Sequence, residues 1–83
     1  MHVTIKLFAR LREMAGASEL PREMPEGATA ADAWRTLVGE FPAMHDYSRT
    51  VACAVNEDYA RLSARLNDGD EVAFLPPVSG GSR

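Results

Sequence analysis

The order of apolar patterns along the 83 residues predicts an α+β domain, a mixed sheet of about five strands with one main helix packed across it. Three observations carry this. His2–Ala9 alternates between apolar and polar, while Val51–Val55 and Glu71–Leu75 are short apolar runs of strand length. Ala33, Trp34, Leu37, Val38 and Phe41 recur at helical spacing and form one apolar stripe. Turn signals at Pro25-Glu26-Gly27, Asn56-Glu57-Asp58 and Asn67-Asp68-Gly69-Asp70 break the chain between these runs.

Each element follows from its residues. In the first strand Val3, Ile5, Leu7 and Ala9 share the core face, and Phe8 falls on the other face with His2, Thr4 and Lys6. An aromatic among polar neighbours is either half covered by the next segment or kept for a partner. Arg10–Gly16 is a short helical turn, with Leu11 and Met14 three apart and Gly16 as its stop. Arg10 and Arg12 read as solvated charges. Ser18–Met24 is a weaker strand with Leu20, Arg22 and Met24 on one face, and Pro21 places it at a sheet edge because proline donates nothing to a ladder. Thr29 followed by Asp32 has the form of a capping box and starts the main helix, which Pro42 ends. Trp34 belongs to the core. Residues 43–48 read as a loop or single turn with a surface histidine, His45.

Val51–Val55 reads as a fully buried strand, with Cys53 as a small buried thiol lacking a nearby base. Tyr59–Leu62 is a minor strand. In the last strand Val72 and Phe74 share one face, and Leu75 lies opposite. Strands without proline take the middle of a sheet, so the first and last strands are expected to be parallel central neighbours.

Composition sets the outer bounds. A hydrophobic fraction of 46% and a charged fraction of 25% suit a soluble globular protein. A chain of this length supports one core. A net charge of −3 argues against nucleic acid and is compatible with a basic protein partner. One cysteine forms no internal disulfide. No apolar run approaches the ~20 residues of a membrane span, and residues 1–4 lack the start of a signal peptide. The expectation is a cytoplasmic protein that meets neither membrane nor nucleic acid.

The domain is expected to occupy residues 1–75, with an extended C-terminal tail over 76–83. Pro76 and Pro77 hold that tail stiff and extended, and Gly80 and Gly81 leave its backbone slim enough to enter a narrow space. From Leu75 to Gly81 an extended chain spans roughly 20 Å. The alternative is an ordinary frayed end.

The stretches Leu7–Gly16, Ala54-Val55-Asn56 and above all Asp68–Gly81, with its Gly-Asp-Glu-Val-Ala-Phe-Leu-Pro-Pro-Val-Ser-Gly-Gly motif, resemble the small subunit of molybdopterin synthase, the MoaD family of ubiquitin-like β-grasp sulfur carriers. The resemblance covers nearly the whole chain, with residues 22–50 matching in pattern rather than in letters. It implies that an ATP-dependent, MoeB-like activating enzyme adenylates the C-terminal carboxylate of Gly81, which is then converted to a thiocarboxylate. It implies docking on the synthase large subunit in a heterotetramer, and donation of sulfur to cyclic pyranopterin monophosphate. Gly81 is then the reacting residue, with Gly80 beside it. Phe8, Arg12, Tyr59, Leu75, Pro76, Pro77 and Val78 are the residues expected to meet the partner. No metal is expected, and no cofactor bound by this chain; ATP belongs to the activating partner.

One departure follows from the letters themselves. Ser82 and Arg83 follow Gly81, which makes its carbonyl an amide, and an amide cannot be adenylated. A peptidase removes the two residues, or they are a cloning remnant, or the carrier role has been lost. Two other functions compete: a carrier or protein modifier serving thiamin, cysteine or tRNA sulfur chemistry, and a β-grasp interaction domain with an inert tail.

Overall fold

A computed structural model describes residues 1–77. The chain runs β1 (His2–Leu7), α1 (Ala9–Ala15), β2 (Glu19–Glu23), α2 (Ala30–Glu40), a 3₁₀ helix (Pro42–Tyr47), β3 (Ala52–Val55), β4 (Asp58–Ala60) and β5 (Glu71–Leu75). The five strands form one sheet in the order β2-β1-β5-β3-β4. β1 and β5 are parallel, with Ile5 opposite Val72 and Leu7 opposite Phe74. The other pairs are antiparallel. The strand bearing Pro21 lies at an edge, where its missing N–H costs the ladder nothing.

The core sits between the sheet and α2. Val3, Ile5, Leu7, Val72 and Phe74 are buried on one face of the central strands, against Ala33, Trp34 and Leu37 of the helix. Trp34 stacks at a tilt on Phe74, ring centroids 5.2 Å apart, and its indole N–H donates to Ser48 Oγ at 3.0 Å. The buried ring thus keeps its one polar atom paired. Val38 and Phe41 lie at the partly buried margin of the same stripe.

The helix ends follow the predicted chemistry. Thr29 Oγ1 accepts from the Asp32 N–H at 3.2 Å, and Asp32 Oδ2 accepts from the Thr29 N–H at 2.8 Å. That second bond holds the Asp32 carboxyl below its ordinary range. At the other end Glu40 is a negative charge beside the negative end of the helix dipole. Arg22 of β2 offsets it with a forked pair, Nε to Oε2 at 2.8 Å and Nη2 to Oε1. This pairing ties the edge strand to the helix, lowers the Glu40 carboxyl and raises the guanidinium.

Four local expectations are corrected. Ala9 does not extend β1 onto the core. It is exposed, has φ of 51° and opens α1, so the chain turns sharply right after Phe8. Residues 42–47 form a 3₁₀ helix whose Met44 is fully buried, with Phe41 and Tyr47 partly buried three residues to either side, a three-residue period that a loop does not explain. β3 is not fully buried. Cys53 faces the core, and of the two alanines on the other face Ala54 is buried while Ala52 is exposed. The minor strand is Asp58–Ala60 rather than 59–62, because the hairpin turn takes only Asn56 and Glu57, both at positive φ. Asn56 also pins that turn to the start of β5, its Oδ1 accepting from the Glu71 N–H and its Nδ2 donating to Asp70 Oδ1, each at 3.0 Å.

The depressed Glu40 carboxyl contributes stability that is fully present above its ordinary range, about pH 4–5, and is lost as pH falls through its lower folded value. Glu40→Gln is therefore expected to lower stability at pH 7 by up to about 1 kcal/mol, the pair being partly exposed. The difference from the parent should shrink as pH falls through that lowered value and the carboxyl becomes protonated. Urea midpoints measured from pH 7 downward check this.

Candidate functional site

The face of the sheet opposite α2 carries alternate residues of every strand. Pairing registers place Glu19, Lys6, Ala73, Ala54 and Tyr59 in one row across it. The next row toward the C-terminal end of β5 holds Leu75 opposite Ala52. Phe8 follows Leu7 just as Leu75 follows Phe74, so the parallel pairing brings Phe8 and Leu75 side by side at the end of the sheet. The sheet is thus divided on this face. Charged residues stand on β2, on β1 and, as Glu71, at the start of β5, and apolar residues pave the rest of β5 and β3.

Phe8, Ala9, Arg10, Tyr47, Leu75, Pro76 and Pro77 line one open groove of about 480 Å³. Phe8 is held there by backbone. Its carbonyl accepts from the N–H groups of Leu11 at 3.1 Å and Arg12 at 3.4 Å, which closes the first turn of α1. Its ring, 41% exposed, is turned to the outside. β5 ends at Leu75, and Pro76 and Pro77 continue without helix or strand.

The remaining sites expected from the sequence are placed less uniformly. Tyr59, 81% exposed, stands on β4 on the same face. It is separated from the groove by Ala54, Ala52 and Ala73 and does not line it. Arg12 is exposed on α1 and is not at the groove, whereas Arg10 is, paired with Glu13 at 3.3 Å. Two residues along a helix are about 200° apart, so only one of the two arginines can face the groove. Val78, Gly80 and Gly81, with Ser82 and Arg83, lie outside the described residues. Tyr47 was missed. It is an aromatic in a polar stretch, and only the 3₁₀ turn brings it to Pro76 and Leu75.

Among the described residues the groove presents apolar surface and one arginine, with no carboxylate, histidine or thiol in its lining. Cys53 lies elsewhere, 2% exposed on the core side of β3, with its thiol donating to the Ala60 carbonyl at 3.3 Å. Burial pushes that thiol up, away from the reactive thiolate. Such a surface offers apolar area beside the start of the proline segment.

Residues 5–81 match the model of the ThiS family. The chain belongs to the ThiS family. The match ends at Gly81, two residues before Arg83. Among curated ThiS-family relatives, the molybdopterin synthase sulfur carrier subunit of Arabidopsis thaliana is 38% identical over 98% of this chain and 84% of its own length. Among solved structures, the putative molybdopterin converting factor subunit 1 of Pyrococcus furiosus superposes with a TM-score of 0.82 at 34% identity, covering 94% of this chain and 99% of that one. The small archaeal modifier SAMP1 of Haloferax volcanii gives 0.82 at 35% identity, covering 98% and 100%. The architecture is the β-grasp, with its mixed sheet and one helix across it.

Phe8 and Phe74 differ in what they contribute to folding. Phe8→Ala is expected to cost about 1–2 kcal/mol, since its side chain is only partly covered. Phe74→Ala removes a fully buried ring and should cost about 3–5 kcal/mol. Urea denaturation of both variants checks the contrast.

Proposed function

We propose that this ThiS-family chain is the sulfur carrier subunit of a molybdopterin synthase. The observation that carries the reading is 38% identity, over nearly the whole chain, to a relative of that name. The groove at the base of the proline segment supplies the physical means. Phe8 and Leu75 offer apolar area to a large subunit, and Tyr59 offers a second anchor across the alanine floor. Pro76 and Pro77 stiffen the way out, so less chain entropy is lost when the tail enters a partner's site.

The chemistry then belongs to Gly81. A carboxylate is a poor acyl donor. An ATP-dependent, MoeB-like activating enzyme joins it to AMP with loss of pyrophosphate, and a sulfur donor displaces AMP to leave a thiocarboxylate. One hard step becomes two easier ones. Gly80 and Gly81 carry no side chain to obstruct entry into the large subunit, where the sulfur passes to cyclic pyranopterin monophosphate. The working assembly is a heterotetramer of two small and two large subunits, located in the cytoplasm. Gly81 must present a free carboxylate, so the working form has to lack Ser82-Arg83.

The competing reading, attachment of the same activated glycine to a protein lysine, is the less favoured one, although a small archaeal modifier shares the fold. One experiment addresses both. The chain is co-expressed with an activating enzyme and a sulfur source, then measured by intact mass. The carrier reading expects loss of Ser82-Arg83 and a mass gain equal to one oxygen replaced by sulfur. It further expects that species to convert the pterin precursor when a large subunit is added. Covalent adducts on cellular proteins, with no conversion of precursor, would support the modifier instead.

A further inference from the structure

The 83 residues hold one lysine, Lys6, against eight arginines, and one cysteine, Cys53. Amines and thiols are the side chains that most readily take up an acyl group, whereas the guanidinium stays protonated and does not attack. Both acceptors are restrained. Lys6 lies mid-strand on β1, with its Nζ 3.6 Å from Glu71 Oε2 and 3.9 Å from Glu19 Oε2, and its side chain only 31% exposed. Glu19 is its register partner on β2, and Glu71 stands opposite Thr4 on β5, two residues before its partner Ala73, so carboxylates reach it from both neighbouring strands. To attack a carbonyl, the ammonium must leave both carboxylates and lose a proton. Cys53 is sealed in the core. The Met1 amino group is engaged too, donating to the Met24 carbonyl at 2.7 Å beside Glu26.

We propose that the body of this chain is inert toward acyl groups, with Lys6 clamped between Glu19 and Glu71 and Cys53 buried, so that an activated Gly81 passes only to a partner and the chain can be joined to other molecules but not extended into polymers of itself. The proposal rests on the reading that Gly81 is activated. The step it blocks is defined. The Lys6 nitrogen of one copy would form a C–N bond to the Gly81 carbonyl carbon of another. The C–O bond to AMP would break, AMP would leave with the electron pair, and the surplus proton would pass to water. The result would be an isopeptide-linked dimer and a loss of carrier. Lys6 also borders the alanine floor beside Ala73, so a partner docked on that floor would cover it further.

The test uses the full chain carrying Arg49→Lys, which adds an amine at an exposed position, with no ion pair there among the described residues, as an internal reference. The protein is treated with limiting N-hydroxysuccinimidyl acetate at neutral pH, and acetylation is resolved by site with mass spectrometry. In the folded chain Lys6 should react at least about fivefold more slowly than the amine at position 49, a factor within reach of two ion pairs and partial burial. In concentrated urea the two rates should converge. Adding Glu19→Gln and Glu71→Gln should speed Lys6 in the folded chain, and Cys53 should stay unmodified until unfolding. Equal rates at Lys6 and position 49 in the folded chain would overturn the proposal, as would a Lys6 that stays slow after both glutamates are replaced. The acyl donor is supplied from outside, so the result does not depend on whether Gly81 is ever activated. A failure here leaves the carrier reading intact, and a missing thiocarboxylate leaves this measurement intact.

Discussion

The parallel pairing of β1 with β5 is the constraint on which the rest of the molecule depends. It sets Ile5 against Val72 and Leu7 against Phe74 beneath α2. A side chain alternates faces at every residue, so the same register necessarily turns Phe8 and Leu75 to the other side. A slip by one residue would bury the wrong set and expose the core set. The burial that stabilises the fold therefore also places Phe8 and Leu75, the residues proposed to meet a partner. Pro76 and Pro77 leave the sheet from the end of a central strand.

The two faces of the sheet divide the work. The helix side is closed by Trp34, Leu37 and Met44 and takes up the hydrophobic burial available to so short a chain. The open side keeps Phe8 and Tyr59 in solvent over a floor of alanines, which leaves room for a partner to approach the sheet closely. Charges are distributed in keeping with this. Arg22–Glu40 and Asp32–Arg35 hold the helix layer, and Lys6 with Glu19 and Glu71 occupies the far half of the open side. The only thiol is stored where it cannot react.

Much of this was legible in the residues because it rests on local periodicity. The alternation in β1, the stripe of α2, the Thr29–Asp32 box, the αL glycine at Gly16 and the proline at the edge strand each leave a mark within a few positions. The parallel centre followed from where Pro21 could not go. What escaped depends on contacts distant in sequence or on a single dihedral. Met44 shares a three-residue period with Phe41 and Tyr47, but its burial needs α2 above it. Ala9 continues the alternation in letters, but its positive φ breaks the strand. Ala52 looks as apolar as Cys53 and Ala54, yet it alone of the three is exposed. In the candidate site, Phe8 and Leu75 could be matched by strand parity. Tyr47 could not be found that way, nor could the choice of Arg10 over Arg12, because both depend on where short helices stop and start.

The claim that the open side is the working surface can be tested by backbone hydrogen exchange on this chain with and without a molybdopterin synthase large subunit. The account predicts added protection around Phe8, along β3 and β5 and at Tyr59, with α2 unchanged. Protection confined to α2 and the 3₁₀ helix, with β3, β5 and Phe8 exchanging as before, would contradict it.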